Sequence, residues 1–271
     1  KDMMITKNYI AKGEGANRFE KIPVQIYETA DEAVKAVARE IVDLVQTKAA
    51  SSEKCVLGLA TGVSPIKLYQ ELVRMHREEG VSFRNVVTFN LDEYLPMPKE
   101  SEQSYHYFMH HHLFDHIDID PKNIHIPDGT LEGDEIDKFC RDYEKAIEAA
   151  GGIDLQILGI GRTGHIGFNE PGSFITSQTR KVFLNDLTIK DAIKDFGSRN
   201  LVPTKAITMG VGTIMQARRV ILMAWGEKKA PIIKATVEGR VSDSVPATFL
   251  QMHSNVQFII DESAASELTR A

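Results

Sequence analysis

Two neighbouring carboxylates and a glycine-rich segment with one histidine are the parts of this sequence best suited to proton transfer. The carboxylates belong to Asn90-Leu91-Asp92-Glu93-Tyr94, which directly follows an apolar run. A carboxylate that faces a partly desolvated cavity acquires a pKa that suits proton exchange near neutral pH. Asp92 is therefore predicted to be catalytic, with a purely structural role as a helix cap as the alternative.

The glycine-rich segment runs from Gly159 to Gly172 and contains five glycines around His165 and Glu170. Such glycine density is typical of a loop whose backbone must approach a substrate closely. A neutral imidazole can accept and return a proton near pH 7, and a nearby carboxylate can orient it. We therefore predict that His165 and Glu170 act in catalysis, although a lone histidine is more often a structural group.

A third segment, Thr61-Gly62-Val63-Ser64-Pro65, has the composition of a turn from a strand into a helix. Gly62 permits close backbone approach, Ser64 is a preferred N-cap residue, and Pro65 suits the first helical position. Free N–H groups at a helix N-terminus form a site for a phosphate. Taken alone, the segment is better explained as an ordinary capped turn, because the nucleotide-binding glycine patterns are absent from it.

Histidines crowd the segment between residues 105 and 116, where two pairs have the i, i+4 spacing of helical metal ligands. These pairs are His106 with His110 and His112 with His116. The segment lacks the glutamate of the zincin pattern and carries aromatic residues at core spacing. We therefore predict a packed or surface helix here and no metal site.

Apolar runs precede the segments described above, and they predict the strands of one sheet. The predicted strands are 55–60, 85–90, 153–159, 220–225 and 256–260. Because these runs are continuous rather than alternating, both faces of the sheet are expected to be covered. The amphipathic stretches predicted as helices are 31–47, 65–79, 104–114, 135–149 and 228–238. The alternation predicts an α/β fold that is doubly wound and Rossmann-like, with a mostly parallel sheet, helices on both faces and ligands at the carboxyl ends of the strands.

The composition excludes several classes of function. The 271 residues are 42% hydrophobic and 26% charged, as in ordinary globular domains. A net charge of −6 argues against nucleic-acid partners, and no apolar run reaches the length of about 20 residues that crosses a membrane. Two cysteines, Cys55 and Cys140, are too few for a disulfide framework and indicate a cytoplasmic protein. Residues 262–271 are expected to form a helix that is cut short.

Four segments occur in a characteristic order along the chain. They are Leu57-Gly58-Leu59-Ala60-Thr61-Gly62, Val87-Thr88-Phe89-Asn90-Leu91-Asp92-Glu93-Tyr94, Gly164-His165-Ile166-Gly167-Phe168-Asn169-Glu170-Pro171 and Met209-Gly210-Val211-Gly212-Thr213. Together they resemble the glucosamine-6-phosphate deaminase (isomerase) family. The resemblance implies one domain over residues 30–271, with a lid at roughly 180–205, and leaves 1–29 as an N-terminal extension. Because the family includes monomers and hexamers, the resemblance does not decide whether this protein forms a homo-oligomer.

The resemblance also implies a reaction that needs no cofactor. Glucosamine 6-phosphate, a small sugar phosphate, undergoes aldose–ketose isomerisation with loss of ammonia and yields fructose 6-phosphate. Asp92 matches the base that moves a proton between C2 and C1 through a cis-enolamine. His165 matches the residue that opens the pyranose ring, and Glu170 matches its acidic partner.

Phosphate binding is implied at two places. One is the turn formed by Thr61, Gly62, Val63 and Ser64, together with Lys229, which matches the phosphate lysine of the family. An exposed, solubilising lysine is the alternative reading of Lys229 from the residues alone. The other place is the lid, where Lys194 stands at the position of an arginine that is usual in the family. A lysine replaces the bidentate arginine fork by a point charge, which is expected to loosen binding.

Two further departures from the family pattern affect the expected activity. Thr163 stands where the family usually has Asp or Asn, so Glu170 is expected to orient His165 alone or through water. The allosteric site of some members, which binds N-acetylglucosamine 6-phosphate, keeps only Ser173 and Arg180 here. Its other positions read Phe174 and Val182, so allosteric activation is expected to be weak or absent.

Two other functions remain as alternatives at this point. A 6-phosphogluconolactonase would have a similar fold, but Tyr94 and Asn169-Glu170-Pro171 replace the residues usual in that branch. A non-catalytic sensor of sugar phosphates is the second alternative. The presence of Asp92, His165 and Glu170 argues against a sensor, as does the lack of a basic helix-turn-helix before residue 30, whereas Thr163 keeps this alternative open.

Overall fold

The computed structural model describes residues 5–9 and 19–269. Its strands are β1 (Ile5–Tyr9), β2 (Val24–Tyr27), β3 (Cys55–Leu59), β4 (Val86–Asn90), β5 (Asp92–Leu95), β6 (Ile124–His125), β7 (Leu155–Leu158), β8 (Arg180–Phe183), β9 (Lys205–Thr208), β10 (Arg219–Ala224) and β11 (Val256–Asp261). Its α-helices are α1 (Ala30–Ala50), α2 (Ile66–Glu79), α3 (Tyr105–His112), α4 (Asp134–Ala149), α5 (Asp186–Phe196), α6 (Val211–Met215) and α7 (Ala230–Glu238). The five strands and five helices predicted from the sequence are confirmed, with small differences at their ends.

The main sheet has the strand order β1-β2-β11-β10-β7-β3-β4-β6. Its pairs are parallel except for β1, which runs antiparallel to β2 at one edge. From β3 the chain proceeds outward to β4 and β6, and it then returns to β7 and proceeds in the opposite direction to β10 and β11. The order therefore reverses between β3 and β7, and ligands of doubly wound folds bind outside the carboxyl ends of strands at such a switch point.

The two faces of this sheet are covered by separate sets of helices. Residues of α1, α2 and α3 pack on one face, and residues of α4, α6 and α7 pack on the other. Successive side chains of β3 alternate between them, so that Leu57 and Leu59 contact the first set while Val56 contacts the second. Both faces of each central strand are thus buried, which confirms the doubly wound fold.

A second, three-stranded antiparallel sheet has the order β5-β9-β8. Together with α5 it encloses a small apolar cluster that includes Tyr94, Phe168, Leu184 and Ile189. The stretch expected to be a lid, residues 180–205, contains β8, α5 and a short 3-10 helix at Arg199–Leu201. It packs beside the end of the main sheet at which the switch point lies.

Both ends of the chain differ from a simple reading of the sequence. The stretch expected to be an extension, residues 1–29, contains β2, which pairs in parallel with β11 of the main sheet.

The prediction of a helix at 262–271 is wrong for the described residues, because 262–267 form successive turns. The carboxylate of Asp261 accepts hydrogen bonds from the N–H groups of Gly226 and Ala264, and Thr269 N–H donates to Glu238, so the chain is drawn towards α7. Residues 270 and 271 lie outside the described residues.

Within the described residues, none of the helices combines the length and the apolar character needed to cross a membrane.

Candidate active site

The loops that follow β3, β4 and β7 meet at the switch point and surround a cavity of about 940 Å³. The predicted site residues that line it are Thr61, Gly62, Val63, Ser64, Asp92, His165, Lys194 and Lys229. They come from positions as far apart as 61 and 229 in the chain. Glu170 is the predicted site residue that does not line this cavity.

Asp92 is the first residue of β5 and is only 6% exposed. Burial, and to a smaller extent the neighbouring charge of Glu93, raises the pKa of its carboxyl group to about 8. Its side chain borders the cavity near Gly167, where a Cβ atom would lie 3.6 Å from the Asp92 Oδ2 atom. A carboxyl group with this pKa can both accept and return a proton near neutral pH.

Glu93 points away from Asp92, as successive side chains of a strand do. Its Oε1 atom accepts hydrogen bonds from the N–H groups of Tyr94 and Tyr105, both at 3.0 Å, and its Oε2 atom accepts one from His106 N–H at 3.0 Å. Glu93 therefore satisfies free N–H groups at the start of α3. The capping role that was the alternative prediction for Asp92 is therefore performed by its neighbour, Glu93.

His165 is oriented by the backbone of its own loop. Its Nδ1 atom lies 2.8 Å from the carbonyl oxygen of Gly167, and this carbonyl can only accept a hydrogen bond. In the neutral imidazole the hydrogen therefore sits on Nδ1, and Nε2 carries the lone pair. The Nε2 atom lies against Gly161, where a Cβ atom would be only 1.9 Å away, and Gly167 adopts a φ of 57°. These two glycines are needed for the ring to take this position.

The predicted contact between Glu170 and His165 is not formed. The Oε2 atom of Glu170 instead accepts hydrogen bonds from Asn185 N–H and from the Thr188 hydroxyl, each at 2.8 Å. Asn185 is the N-cap residue of α5. The turn at Gly167 supplies the acceptor for His165, which leaves the Glu170 carboxylate to hold the start of α5 beside the glycine-rich loop.

The turn after β3 differs from the prediction in its cap. Helix α2 begins at Ile66, its N-cap residue is Pro65, and no side chain caps it, so Ser64 is not the N-cap. Gly62 has a φ of 96°, which turns the backbone into the cavity. The indole N–H of Trp225 donates to the carbonyl of Ser64 at 2.9 Å and fixes the turn. The N–H group of Ile66 donates to the carbonyl of Val63 at 3.2 Å, and no side-chain cap of α2 competes with an anion for the N–H groups that follow.

Basic side chains approach the cavity from two sides. On the side of the main sheet, Lys229 is partly buried and donates from Nζ to the carbonyl of Ile160 at 2.6 Å. Burial lowers the pKa of Lys229 below its usual value. The charge of Asp191 opposes this shift, and the charge of Lys194 adds to it. On the side of α5, Lys194 lines the cavity, and Asp191 forms an ion pair of 2.9 Å with Arg162. The cavity thus joins a positive region to the carboxyl group of Asp92.

Several residues of the cavity were not selected from the sequence. Tyr105, Arg162 and Phe168 line it, as do polar residues of α5. Arg162 and Phe168 lie inside the glycine-rich segment, so their position in the chain was a usable signal. Tyr105 belongs to the histidine-rich segment and had no such signal, because it reaches the cavity only through the packing of α3 against β5.

The histidine-rich helix itself is engaged in local contacts. The His110 Nδ1 atom lies 2.9 Å from Asp115, and the His116 Nε2 atom lies 2.7 Å from the carbonyl of His111. In the described part of the chain, no group of three or more His, Cys, Asp or Glu residues is placed to hold a metal ion.

The departures from the family pattern also have structural counterparts. The hydroxyl of Thr163 is buried without a hydrogen-bond partner in the described structure. Arg180 donates to Asn169 Oδ1 at 2.9 Å and to Ser173 Oγ at 3.4 Å, while Phe174 is 76% exposed. The guanidinium group of Arg180 is therefore bound within the protein.

Sequence comparison places these features in a known family. Residues 28–259 match the family described as glucosamine-6-phosphate isomerases/6-phosphogluconolactonase. A putative glucosamine-6-phosphate deaminase-like protein of Bacteroides thetaiotaomicron is 48% identical over 93% of this chain. The chain spans only 38% of the length of that relative. A glucosamine-6-phosphate deaminase of Thermoanaerobacter sp. is 47% identical over 85% of this chain and 90% of its own length.

Structural comparison gives the same grouping. A solved structure described as a monomeric glucosamine-6-phosphate deaminase superposes with a TM-score of 0.85 and is 41% identical. The match covers 90% of this chain and 98% of that one. The chain therefore belongs to the glucosamine-6-phosphate isomerase/6-phosphogluconolactonase family, and within it to the glucosamine-6-phosphate deaminases.

Proposed function

We propose that this protein converts glucosamine 6-phosphate and water into fructose 6-phosphate and ammonia. The observation that supports the proposal is the cavity at the switch point, because Asp92 and His165 line it together with the basic residues Lys194 and Lys229. A sugar phosphate needs these two parts at opposite ends, one for its phosphate and one for the carbons that react. The names of the similar proteins support the same substrate.

The phosphate is bound by the turn after β3 and by Lys229. Thr61, Gly62, Val63 and Ser64 lead into the uncapped start of α2, where backbone N–H groups favour an anion. The ammonium group of Lys229, which lines the same cavity, adds a positive charge. Lys194 approaches from α5, and a bound phosphate would offset its repulsion of Lys229.

Ring opening falls to His165. Its Nε2 atom carries the lone pair of the neutral imidazole, because Nδ1 donates to the carbonyl of Gly167. Nε2 accepts the proton of the anomeric hydroxyl, and the resulting imidazolium returns a proton to the ring oxygen as the C1–O5 bond breaks. We propose that Glu170 takes part indirectly, since its carboxylate holds Asn185 and Thr188 of the α5 region.

Isomerisation falls to Asp92. In its ionised form the carboxylate removes the proton from C2 of the open-chain aldehyde, and a proton from the ammonium group on C2 passes to the aldehyde oxygen, which yields a neutral cis-enolamine. Asp92 then returns the proton to C1, and the nitrogen at C2 becomes an iminium. Water adds to C2, the C2–N bond breaks, and ammonia leaves with fructose 6-phosphate as the ketone. A pKa of about 8 lets one group perform both proton transfers.

The cytoplasm is the compartment we propose for this reaction. Cys55 and Cys140 are both buried free thiols, as expected for a protein kept in a reducing environment. No further partner is needed, because the reaction requires only the sugar phosphate and water.

The proposal is tested by measuring ammonia release from glucosamine 6-phosphate in a coupled assay. Wild-type protein is expected to turn over millimolar substrate, and Asp92→Asn is expected to lose at least about 10³-fold in kcat because it lacks the base. The function would be refuted by an inactive wild type or by an equally active Asn variant. Hydrolysis of 6-phosphogluconolactone, measured in parallel, would instead favour a lactonase.

A further inference from the structure

The hydroxyl of Tyr105 is a polar group in the wall of the cavity that the mechanism above does not use. Tyr105 is the first residue of α3 and borders the cavity together with Thr61 and Asp92. Its hydroxyl interacts with the side chains of Thr61 and Tyr94 and feels the charge of Asp92. The hydroxyl therefore lies between the anion-binding turn and the proposed base.

The ring of Tyr105 is held firmly in this position. It stacks on Phe168 at 6.0 Å between ring centroids and an interplanar angle of 15°, and it contacts Tyr94 at 4.9 Å. Its backbone N–H donates to Glu93, which directly follows Asp92 in the chain. The distance between the Tyr105 hydroxyl and the base is thus set by packing and by one short hydrogen-bonded connection, as a preorganised binding group requires.

The substrate must span the same two points. If its phosphate lies at the turn of residues 61–64 and its C2 lies at Asp92, C3, C4 and C5 lie between them. The oxygen on C5 is the ring oxygen, which the proposed mechanism assigns to His165. The hydroxyl groups on C3 and C4 remain for the wall that contains Tyr105.

We propose that Tyr105 is a specificity-determining residue whose hydroxyl forms a hydrogen bond with the substrate hydroxyl on C3 or C4. The proposal rests on the proposed function for the identity of the substrate. Burial raises the pKa of Tyr105 well above its usual range, so the phenol stays neutral and keeps its proton while the enzyme works. Sugars that lack the partner hydroxyl would lose this hydrogen bond to the phenol, and the enzyme would discriminate against them.

Tyr105→Phe tests this assignment, because it removes the hydroxyl and keeps the stacked ring. Its values of kcat/KM are measured with glucosamine 6-phosphate and with its 3-deoxy and 4-deoxy analogues. Wild type is expected to prefer the parent substrate over one analogue by about 10-fold, which corresponds to one hydrogen bond of about 1.4 kcal/mol. Tyr105→Phe is expected to lose about 10-fold on the parent substrate and to show almost no preference over that analogue.

Tyr107→Phe is the matched control, since Tyr107 lies on the same helix but is 37% exposed and stacks on His111. It should keep the wild-type preference. Partial unfolding lowers the activity on all three sugars equally, so the preference ratio reports only the contact. If Tyr105→Phe kept the wild-type preference for the parent substrate over both the 3-deoxy and the 4-deoxy analogue, the assignment would be overturned.

The binding of 2-amino-2-deoxyglucitol 6-phosphate, a ring-opened compound that cannot isomerise, separates this test from that of the function. Calorimetry is expected to give about 10-fold weaker binding for Tyr105→Phe than for wild type, and this comparison does not require turnover. Equal affinity in the two proteins would count against the contact, whatever the ammonia assay shows. An inactive wild type with a clear difference in affinity would refute only the reaction.

Discussion

Asp92 and Glu93 are consecutive residues of β5, yet their carboxyl groups have opposite surroundings. Asp92 borders the cavity, whereas Glu93 accepts hydrogen bonds from the N–H groups of Tyr105 and His106 at the start of α3 and from that of Tyr94. Burial raises the pKa of Asp92 to about 8 and that of Glu93 to about 7. The structural carboxylate thus holds α3 in place and also raises the pKa of the reactive one.

Glu93→Gln is expected to shift the low-pH limb of kcat/KM towards lower pH by about 0.5–1 unit. Removing the charge of Glu93 makes the ionised form of Asp92 less unfavourable, so the pKa of Asp92 falls and the base is ionised at lower pH. The measurement is the pH profile of kcat/KM for both proteins. The same substrate is used for both, so its own ionisation cancels in the difference. If the low-pH limb stayed at the same pH or moved to higher pH, Glu93 would not act on Asp92 through its charge.

Asp92→Asn is expected to be inactive but more stable than wild type at pH 8. The folded pKa of Asp92 lies above its usual value of 3.8, so the folded state holds a proton between about pH 4 and 8 that the unfolded state has lost. Wild-type stability therefore falls as the pH rises through this window, and Asn removes that loss.

Urea unfolding is expected to give Asp92→Asn an advantage of about 1–3 kcal/mol at pH 8, which shrinks as the pH approaches 4. The exposed Asp243, replaced by Asn, serves as the control and should change little at either pH. A pH-independent difference between Asp92→Asn and wild type would contradict the proposed desolvation of Asp92.

His165→Ala is expected to lose about 10²–10⁴-fold activity on cyclic glucosamine 6-phosphate and much less on a ring-opened analogue, because only the cyclic form needs the imidazole. Glu170→Gln is the comparison variant. Its carboxylate contacts Asn185 and Thr188 rather than His165, so its losses on the two substrates should be similar. Equal losses on both substrates in His165→Ala would remove the ring-opening role.

Lys229→Met is expected to raise KM about 10–100-fold, because a partly buried charged contact to the phosphate is worth about 1.5–3 kcal/mol. Lys194→Arg is expected to lower KM about 2–5-fold, since a guanidinium group can bind a phosphate through two hydrogen bonds. Both KM values come from initial rates, and the inhibition constant of inorganic phosphate should change in the same direction as KM. A lowered kcat with unchanged KM in Lys229→Met would argue against phosphate binding by this lysine.

Addition of N-acetylglucosamine 6-phosphate at millimolar concentration is expected to leave the rate at subsaturating substrate unchanged. Arg180 is bound to Asn169 and Ser173 within the protein, and Phe174 and Val182 offer no polar group to a sugar phosphate. The test compares initial rates with and without the compound. A clear rise in rate would show that activation persists in this chain.

The main sheet and most of the site could be predicted because their signals are local. Continuous apolar runs identified β3, β4, β7, β10 and β11, since strands covered on both faces have no polar side to display. The glycine-rich segment was recognisable because only glycine allows the backbone to pass as close to the imidazole as Gly161 does. Asp92, His165 and the turn of residues 61–64 followed from their positions after these strands.

The partners of the side chains were not predictable from such signals. That Glu170 binds Asn185 rather than His165, that Glu93 caps α3, and that Tyr105 reaches the cavity all depend on which loops and helices meet. The start of α2 at Ile66 without a side-chain cap is of the same kind.

The doubly wound fold and the candidate residues for proton transfer could be recognised from the sequence, because strand periodicity, glycine spacing and residue chemistry are properties of short segments. The family followed from the resemblance of four such segments. The pKa of Asp92, the tautomer of His165 and the neighbours of Tyr105 follow only from the folded chain. Each of these is set by burial and by hydrogen bonds between segments distant in the chain, and no short segment contains both partners.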